Sequence, residues 1–455
     1  MKIHFIAIGG SAMHNLAIAL HKKGYKITGS DDEIFEPSRG RLLKYGLLPA
    51  QMGWDASRIH KNLDAIILGM HAREDNPELL MARKLGLKIF SYPEFLYEQS
   101  KNKTRIVIGG SHGKTTITSM ILHVLQQHGI KTDYMVGAQL EGFEVMVQLS
   151  DDAPYIVLEG DEYLSSPLDR RPKFHLYQPH IALLSGIAWD HINVFPSFEN
   201  YIEQFSIFID KIEPNGKLIY CEEDETLKKL CEGKNKPSLC LLPYHLPEYS
   251  ITDGVTQIHW QGQSYPLQVF GKHNLLNIAG ALTVCRQMGL STALILEAMS
   301  SFKGASNRLQ LLAKSPKSIV FKDFAHAPSK LRATLEAVRE QFAGRKLVAC
   351  MELHTFSSLN KDFLDQYKHT MDMCDEAFVF YNPHALQLKR LPDLNPDQIR
   401  MAFGRNNIHV ISQADQLKKE LLQRKQDNSA FLLMSSGNFG NLDMKSLAEQ
   451  LVNGF

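Results

Sequence analysis

The sequence predicts an α/β protein of three domains with mostly parallel sheets. Two observations carry that reading. Apolar runs of roughly 4–8 residues alternate with helical stretches along the chain. That alternation restarts three times, from the buried-strand patterns Ile3–Ile8, Arg105–Ile108 and Ser318–Phe321. A chain of 455 residues has room for a core in each segment.

The first segment, 1–100, runs from strand Ile3–Ile8 to the vicinity of Ser100, where the polar stretch Gln99–Arg105 marks its end. The second, 101–305, opens with strand Arg105–Ile108. It continues through strands Tyr155–Leu158 and Ile181–Leu184 to the helix Asn274–Met288 and a further helix near Ser291–Ser301. Within it, 215–268 reads as short strands and turns, such as Gln257–Trp260 before Gln261-Gly262-Gln263, and predicts an antiparallel excursion. The third segment, 306–455, opens with Ser318–Phe321 and runs through Leu347–Met351, Ala377–Tyr381 and Ala430–Met434. Phe302–Arg308 is the expected hinge before it.

Bulk properties exclude several classes. Formal net charge is +1, from 50 basic and 49 acidic residues, which gives no electrostatic case for nucleic acid or an anionic membrane surface. The opening MKIHFIAIGG breaks into glycines after a short apolar run, unlike a signal peptide or a span. No apolar run elsewhere reaches about 18 residues. The cysteines (Cys221, Cys231, Cys240, Cys285, Cys350, Cys374) form no CxxC pair and read as reduced, mostly structural thiols of a cytoplasmic protein.

The sharpest chemical signal is RIVIGGSHGKTTITSMI at 105–121. A strand runs into Gly109-Gly110-Ser111-His112-Gly113-Lys114-Thr115-Thr116 and then into a helix. Glycines let backbone amides turn around phosphate oxygens, and the helix N-terminus adds positive potential. Lys114 can reach the β and γ phosphates, and Thr115 can offer a hydroxyl to Mg²⁺. The loop is one residue tighter than GxxxxGK[ST], because position 108 is Ile. Strand Tyr155–Leu158 ends in Glu159-Gly160-Asp161-Glu162, and a carboxylate at such a strand end is where a metal ligand should sit. Strand Ile181–Leu184 runs toward Trp189-Asp190-His191, which makes His191 a candidate second ligand, although a lone histidine is more often structural.

A second glycine turn, Gly9-Gly10-Ser11-Ala12-Met13, joins the first strand to a helical pattern. The next strand, Lys26–Thr28, ends at Gly29-Ser30-Asp31. This order, with an acid about 20 residues on, suits a nucleotide's diphosphate and ribose. GxGxxG itself is absent, so a plain βαβ turn remains the alternative. With two such loops, one can hold ATP and the other a nucleotide-tagged substrate.

Taken together, these motifs resemble the Mur ligase family along nearly the whole chain. The resemblance rests on IGGSAM at the start, GSD at 29–31, GGSHGKTT, the EGDE and WDH strand ends, GKHNLLNIAGA at 271–281, FKGASNR at 302–308 and KDFAHAP at 322–328. It implies a Rossmann-like, UDP-binding N-terminal domain, a P-loop ATPase-like central domain and a Rossmann-like C-terminal domain that brings the incoming amine. The implied reaction joins the carboxylate of UDP-N-acetylmuramate to an amine through an acyl phosphate, with ATP and Mg²⁺.

Residue roles follow from the same resemblance. Gly110, Ser111, His112, Gly113, Lys114, Thr115 and Thr116 would hold the phosphates, with Lys114, Glu159 and His191 catalytic. Thr115, Glu159 and His191 would bind metal. His273 and Asn274 would border adenine, Asp323 the ribose, and Arg308 the phosphates. Gly9, Gly10, Ser11, Ala12, Met13, Ser30 and Asp31 would bind the UDP substrate. His326 and His354 are the candidates to meet the amine.

Segment 168–180, LDRRPKFHLYQPH, together with 53–57, 141–145 and 433–440, resembles the members that reattach a reclaimed L-alanyl-γ-D-glutamyl-meso-diaminopimelate tripeptide. The alternative acceptor is L-alanine. Members taking L-alanine tend to carry arginines in the loop matching 352–358, and many tripeptide ligases carry an arginine there too; here it reads Glu352-Leu353-His354-Thr355-Phe356-Ser357-Ser358, which weighs against L-alanine and departs from both patterns. Other departures are Ser185-Gly186 where an asparagine is usual, Lys322-Asp323 for Asp-Asp, His326-Ala327 for a double His, and Asn307-Arg308 for Arg-Arg. No lysine lies between His191 and Lys211, so no carbamylated lysine is expected.

Overall fold

The computed structural model describes residues 1–138, 143–189, 192, 194–234, 236–305 and 308–453. The chain divides into two compact units. The first comprises Met1–Ile187, Tyr201–Tyr244 and Thr283–Gly289; the second comprises Ala188–Asn200, His245–Leu282 and Leu290–Phe455.

Two parallel sheets build the first unit. Strands β1 (Lys2–Ile6), β2 (Lys26–Ser30), β3 (Ala65–Leu68) and β4 (Ile89–Ser91) lie in the order β2-β1-β3-β4. The expected strand Ile3–Ile8 stops at Ile6 because Ala7 adopts φ 67°, outside strand geometry. The helix Tyr92–Ser100 follows β4 and starts on a capping box between Ser91 and Glu94.

The second sheet contains β5 (Thr104–Gly109), β6 (Thr132–Met135), β7 (Val147–Gln148), β8 (Tyr155–Glu159), β9 (Ile181–Leu184), β10 (Lys217–Cys221) and β11 (Cys240–Tyr244). Its order is β11-β10-β9-β5-β8-β6-β7, and only β7 pairs antiparallel. Strands β5, β8 and β9 are apolar and buried, as fits strands covered on both faces.

In the second unit, β12 (Tyr249–Thr252), β13 (Val255–Trp260) and β14 (Gln263–Pro266) form an antiparallel sheet. The excursion expected over 215–268 is therefore confined to 249–266. Its first part is corrected, since β10 and β11 extend the parallel sheet. Strands β15 (Gln310–Lys314), β16 (Ser318–Asp323), β17 (Lys346–Leu353), β18 (Glu376–Tyr381), β19 (Ile408–Ile411) and β20 (Ser429–Met434) make the last sheet, in the order β15-β16-β20-β17-β18-β19. It is parallel except for β15, which precedes the expected first strand and pairs antiparallel with it. Two apolar clusters cover its faces, one around Leu335, Met351 and Phe403, the other around Phe378, Phe431 and Leu447.

Among the described residues no helix is long and apolar enough to cross a membrane. The six cysteines are free, and only Cys240 is exposed. Of the expected hinge, Ser306 and Asn307 lie outside the described residues.

Candidate phosphate site and the family of the chain

Strands β5 and β8 are parallel neighbours, with Ile108 opposite Glu159. Their carboxyl ends therefore bring the glycine loop and the acidic turn together, where ligands of open parallel sheets bind. The Gly160 amide donates to the Ile108 carbonyl at 2.8 Å, fixing the register at the mouth of the loop.

The loop needs its glycines for space and for handedness. Gly110 sits at φ 124°, and a Cβ there would lie 2.1 Å from Ser185 Oγ. Gly113 takes the left-handed conformation, φ 75°, immediately before the helix Lys114–Gln127. Ser185 directly follows β9. Its amide donates to the Gly109 carbonyl at 3.1 Å, and its hydroxyl donates to the His112 carbonyl.

Lys114 begins the helix. Its ammonium donates to the Gly110 carbonyl at 2.7 Å and to Glu162 at 2.5 Å. Burial lowers its proton affinity, but the carboxylates of Glu162, Asp161 and Glu159 outweigh that and hold it above the ordinary lysine value. Thr115 Oγ1 donates to Glu159 Oε1 at 2.8 Å, and the Gly137 amide donates to Oε2 at 2.7 Å. Burial pushes Glu159 above the usual carboxylate range, and these donors with Lys114 offset part of the shift. A carboxylate and a hydroxyl are the hard oxygen donors that suit Mg²⁺. Thr116 is buried in the same first turn.

Ser111 is placed in the loop, but its amide donates to the Gly186 carbonyl at 3.0 Å, so its polar groups serve the scaffold. Glu162, named in the acidic turn but given no role from the sequence, is buried at 1% exposure beside Lys114. Its signal was its position three residues beyond Glu159, on the same strand end. His191 and Asp190 lie outside the described residues.

At the first glycine turn, the Gly9 amide donates to Asp31 Oδ2 at 2.7 Å, closing the turn that Gly10, Ser11 and Ala12 extend into the helix Ser11–Lys22. Burial pushes Asp31 up to about 6. Met13 is buried. Ser30 is fully buried, gives its hydroxyl to Glu78 and accepts the Ile8 amide on its carbonyl at 3.0 Å, so both groups serve the scaffold of the turn. His14, missed in the sequence, packs beneath the turn with Nδ1 2.9 Å from the Gly10 carbonyl.

In the second unit, Asp323 ends β16 and accepts the Leu309 amide at 2.6 Å and the Ala325 amide at 2.7 Å. The Arg308 guanidinium stacks 4.6 Å over Phe324. His273 and Asn274 open the helix Lys272–Gln287. Burial lowers the His273 proton affinity, and its Nδ1 has no hydrogen-bond partner among the described residues. His326 Nδ1 contacts the Phe324 carbonyl at 2.8 Å. The ends of β17 and β20 are joined by buried Glu352, which accepts from the Ser435 hydroxyl and, at 2.8 Å, from the Phe439 amide. His354 Nδ1 lies 3.8 Å from Glu352 Oε1.

Comparisons with known proteins agree along the chain. Residues 2–104 match the Mur ligase family catalytic domain, 108–285 the Mur ligase middle domain, and 307–437 the Mur ligase glutamate ligase domain. A UDP-N-acetylmuramate–L-alanine ligase of Mycobacterium marinum is 31% identical over 405 residues, covering 83% of this chain and 80% of that protein. The chain belongs to the Mur ligase family. It is an ATP-dependent ligase that forms an amide bond, as members of this family are, and it has their three-domain fold. A second Mur ligase, the UDP-N-acetylmuramate–L-alanyl-γ-D-glutamyl-meso-2,6-diaminoheptandioate ligase of Escherichia coli, is 27% identical over 463 residues and covers 98% of both chains. The crystal structure of the UDP-N-acetylmuramate–alanine ligase of Thermotoga maritima superposes with a TM-score of 0.71, covering 97% of both chains at 22% identity, a likeness of fold.

Proposed function

We propose that this Mur ligase acts in the cytoplasm on UDP-N-acetylmuramate and a reclaimed L-alanyl-γ-D-glutamyl-meso-diaminopimelate tripeptide, as a murein peptide ligase does. The muramate carboxylate attacks the γ-phosphate of ATP, giving an acyl phosphate and ADP. The alanyl amine then attacks the acyl carbon, loses a proton, and phosphate leaves.

The observation that carries the ATP half is the meeting of Lys114, Thr115 and Glu159 at adjacent strand ends. Lys114 and the loop amides hold the β and γ phosphates and neutralise charge as two anions approach. Thr115 and Glu159, with His191, are the residues that would hold Mg²⁺, which when bound supplies further charge neutralisation. The second unit's Asp323 meets the ribose, His273 and Asn274 the adenine, and Arg308 the phosphates. The N-terminal turn, Gly9–Met13 with Ser30 and Asp31, takes the UDP moiety. The functional division follows 1–100, 101–305 and 306–455.

The arginine-free loop 352–358 weighs against L-alanine but equally departs from an arginine expected in tripeptide ligases, so the choice of amine rests on segment 168–180. That segment is folded onto the central sheet: Phe174 is fully buried and packs against Phe205 and Phe208. The second reading, L-alanine as acceptor, is favoured by the 31% identical relative. Phosphate release with UDP-N-acetylmuramate and Mg-ATP, offering either amine alone, separates them. Release with tripeptide only supports the proposal, and release with L-alanine only replaces it.

A further inference from the structure

The helix Phe198–Asp210 buries Tyr201, Phe205, Phe208 and Ile209 on one face. Packing alone is served there by phenylalanine, so a tyrosine hydroxyl in that row must find partners of its own. Tyr201 is fully buried, and its hydroxyl reaches the phosphate loop. It donates to Glu162 Oε1 at 3.1 Å and lies 2.9 Å from Ser111 Oγ.

Proton counting orients this bridge. A phenol has one proton, and here it goes to the carboxylate. The Ser111 hydroxyl must then be the donor in its contact with Tyr201. Ser111 thereby spends its hydroxyl proton on Tyr201 and its amide on Gly186. The other oxygen of Glu162 pairs with Lys114. An ammonium carries three protons; Gly110 and Glu162 take two, and the direction of the third is fixed by them.

We infer that Tyr201 is a positioning residue for phosphoryl transfer, acting through Glu162 on Lys114, with the Ser111 hydroxyl serving to orient the phenol toward that carboxylate. A loosely held lysine would still bind phosphate. It would be less well aimed at the charge that develops in the transition state. The inference rests on the assignment of Lys114 to the ATP phosphates.

The test is steady-state kinetics of the full-length enzyme with Tyr201→Phe, which keeps the ring and removes only the hydroxyl. The expected result is a kcat lower by about tenfold, the weight of one hydrogen bond to a charged group. KM for the amine substrate should stay within about twofold of wild type. Glu162→Gln keeps an acceptor for Tyr201 but loses the charge on Lys114, and should lower kcat at least as much. Because Tyr201 acts through Glu162, the double variant should be little worse than Glu162→Gln alone. A normal kcat in either single variant overturns the inference, as do multiplicative losses in the double. A lower thermal midpoint with unchanged kcat would make Tyr201 a packing residue only. If instead Lys114→Ala proves fully active, the phosphate assignment itself is what fails.

Discussion

The Thr115 hydroxyl donates to Glu159 across 2.8 Å, so two oxygen donors that follow adjacent parallel strands are already within one hydrogen bond of each other. Both are among the residues that would hold Mg²⁺, and they are preorganised, with Glu159 also held by the Gly137 amide. Replacing Glu159 by Ala should lower kcat by roughly 10²–10³ and raise the Mg²⁺ concentration needed for half-maximal rate. A magnesium titration of ATP turnover checks both numbers.

Lys114→Ala should fail twice. Turnover should fall by about 10²–10³, because charge neutralisation at the transferred phosphate is lost. Stability should also drop, by about 3 kcal/mol, since Glu162 would be left buried without its ion pair. Urea unfolding alongside the kinetic assay measures the two losses separately.

Asp31 gives a pH-dependent signature. Its folded value is raised to about 6 by burial, above the unfolded value, so its ionised form opposes folding. The penalty is absent below the unfolded pKa, accrues as pH rises from about 4 to about 6, and is complete above that. Asp31→Asn removes it. The stability of the variant relative to wild type should therefore improve by roughly 1 kcal/mol between pH 5 and pH 7.5. Unfolding curves at the two pH values would show no such change if Asp31 titrated normally.

Gly437 tests the amine side. A Cβ at this residue would lie 2.6 Å from His354 Nδ1 and 2.8 Å from Glu352 Oε2. Gly437→Ala should displace His354 and raise KM for the amine substrate by about tenfold, leaving KM for ATP near wild type. Glu352→Ala is predicted to be costlier to the fold, by about 2–4 kcal/mol, because the Ser435 hydroxyl and Phe439 amide lose their acceptor. Substrate titrations and thermal unfolding distinguish these effects.

The parts of the fold legible in the sequence are those with local signals. The strand–glycine–helix order at 105–121 locates β5, the loop and its helix, because a buried strand and a left-handed glycine each leave a local mark. Pairing direction is less visible: β10 and β11 carry an ordinary strand pattern, and nothing local says whether they pair parallel or antiparallel. β15 was missed for another reason, being short and largely exposed. At the candidate site, residues on the motif itself were readable. Glu162 is visible as part of an acidic turn, but its partner is not, since its ion pair with Lys114 spans 48 residues. Tyr201 lies 90 residues from Ser111, and its row of aromatics signals only core packing. Such partners are set by tertiary contact and leave no periodic trace.

The most direct measurement is a competition in one tube. The enzyme is given UDP-N-acetylmuramate, Mg-ATP and equal concentrations of L-alanine and the tripeptide, and the products are weighed by mass spectrometry. The account predicts the tripeptide adduct, with one ADP formed per adduct and none without UDP-N-acetylmuramate. An L-alanine adduct as the main product, or ATP turnover with no adduct of either kind, would contradict it.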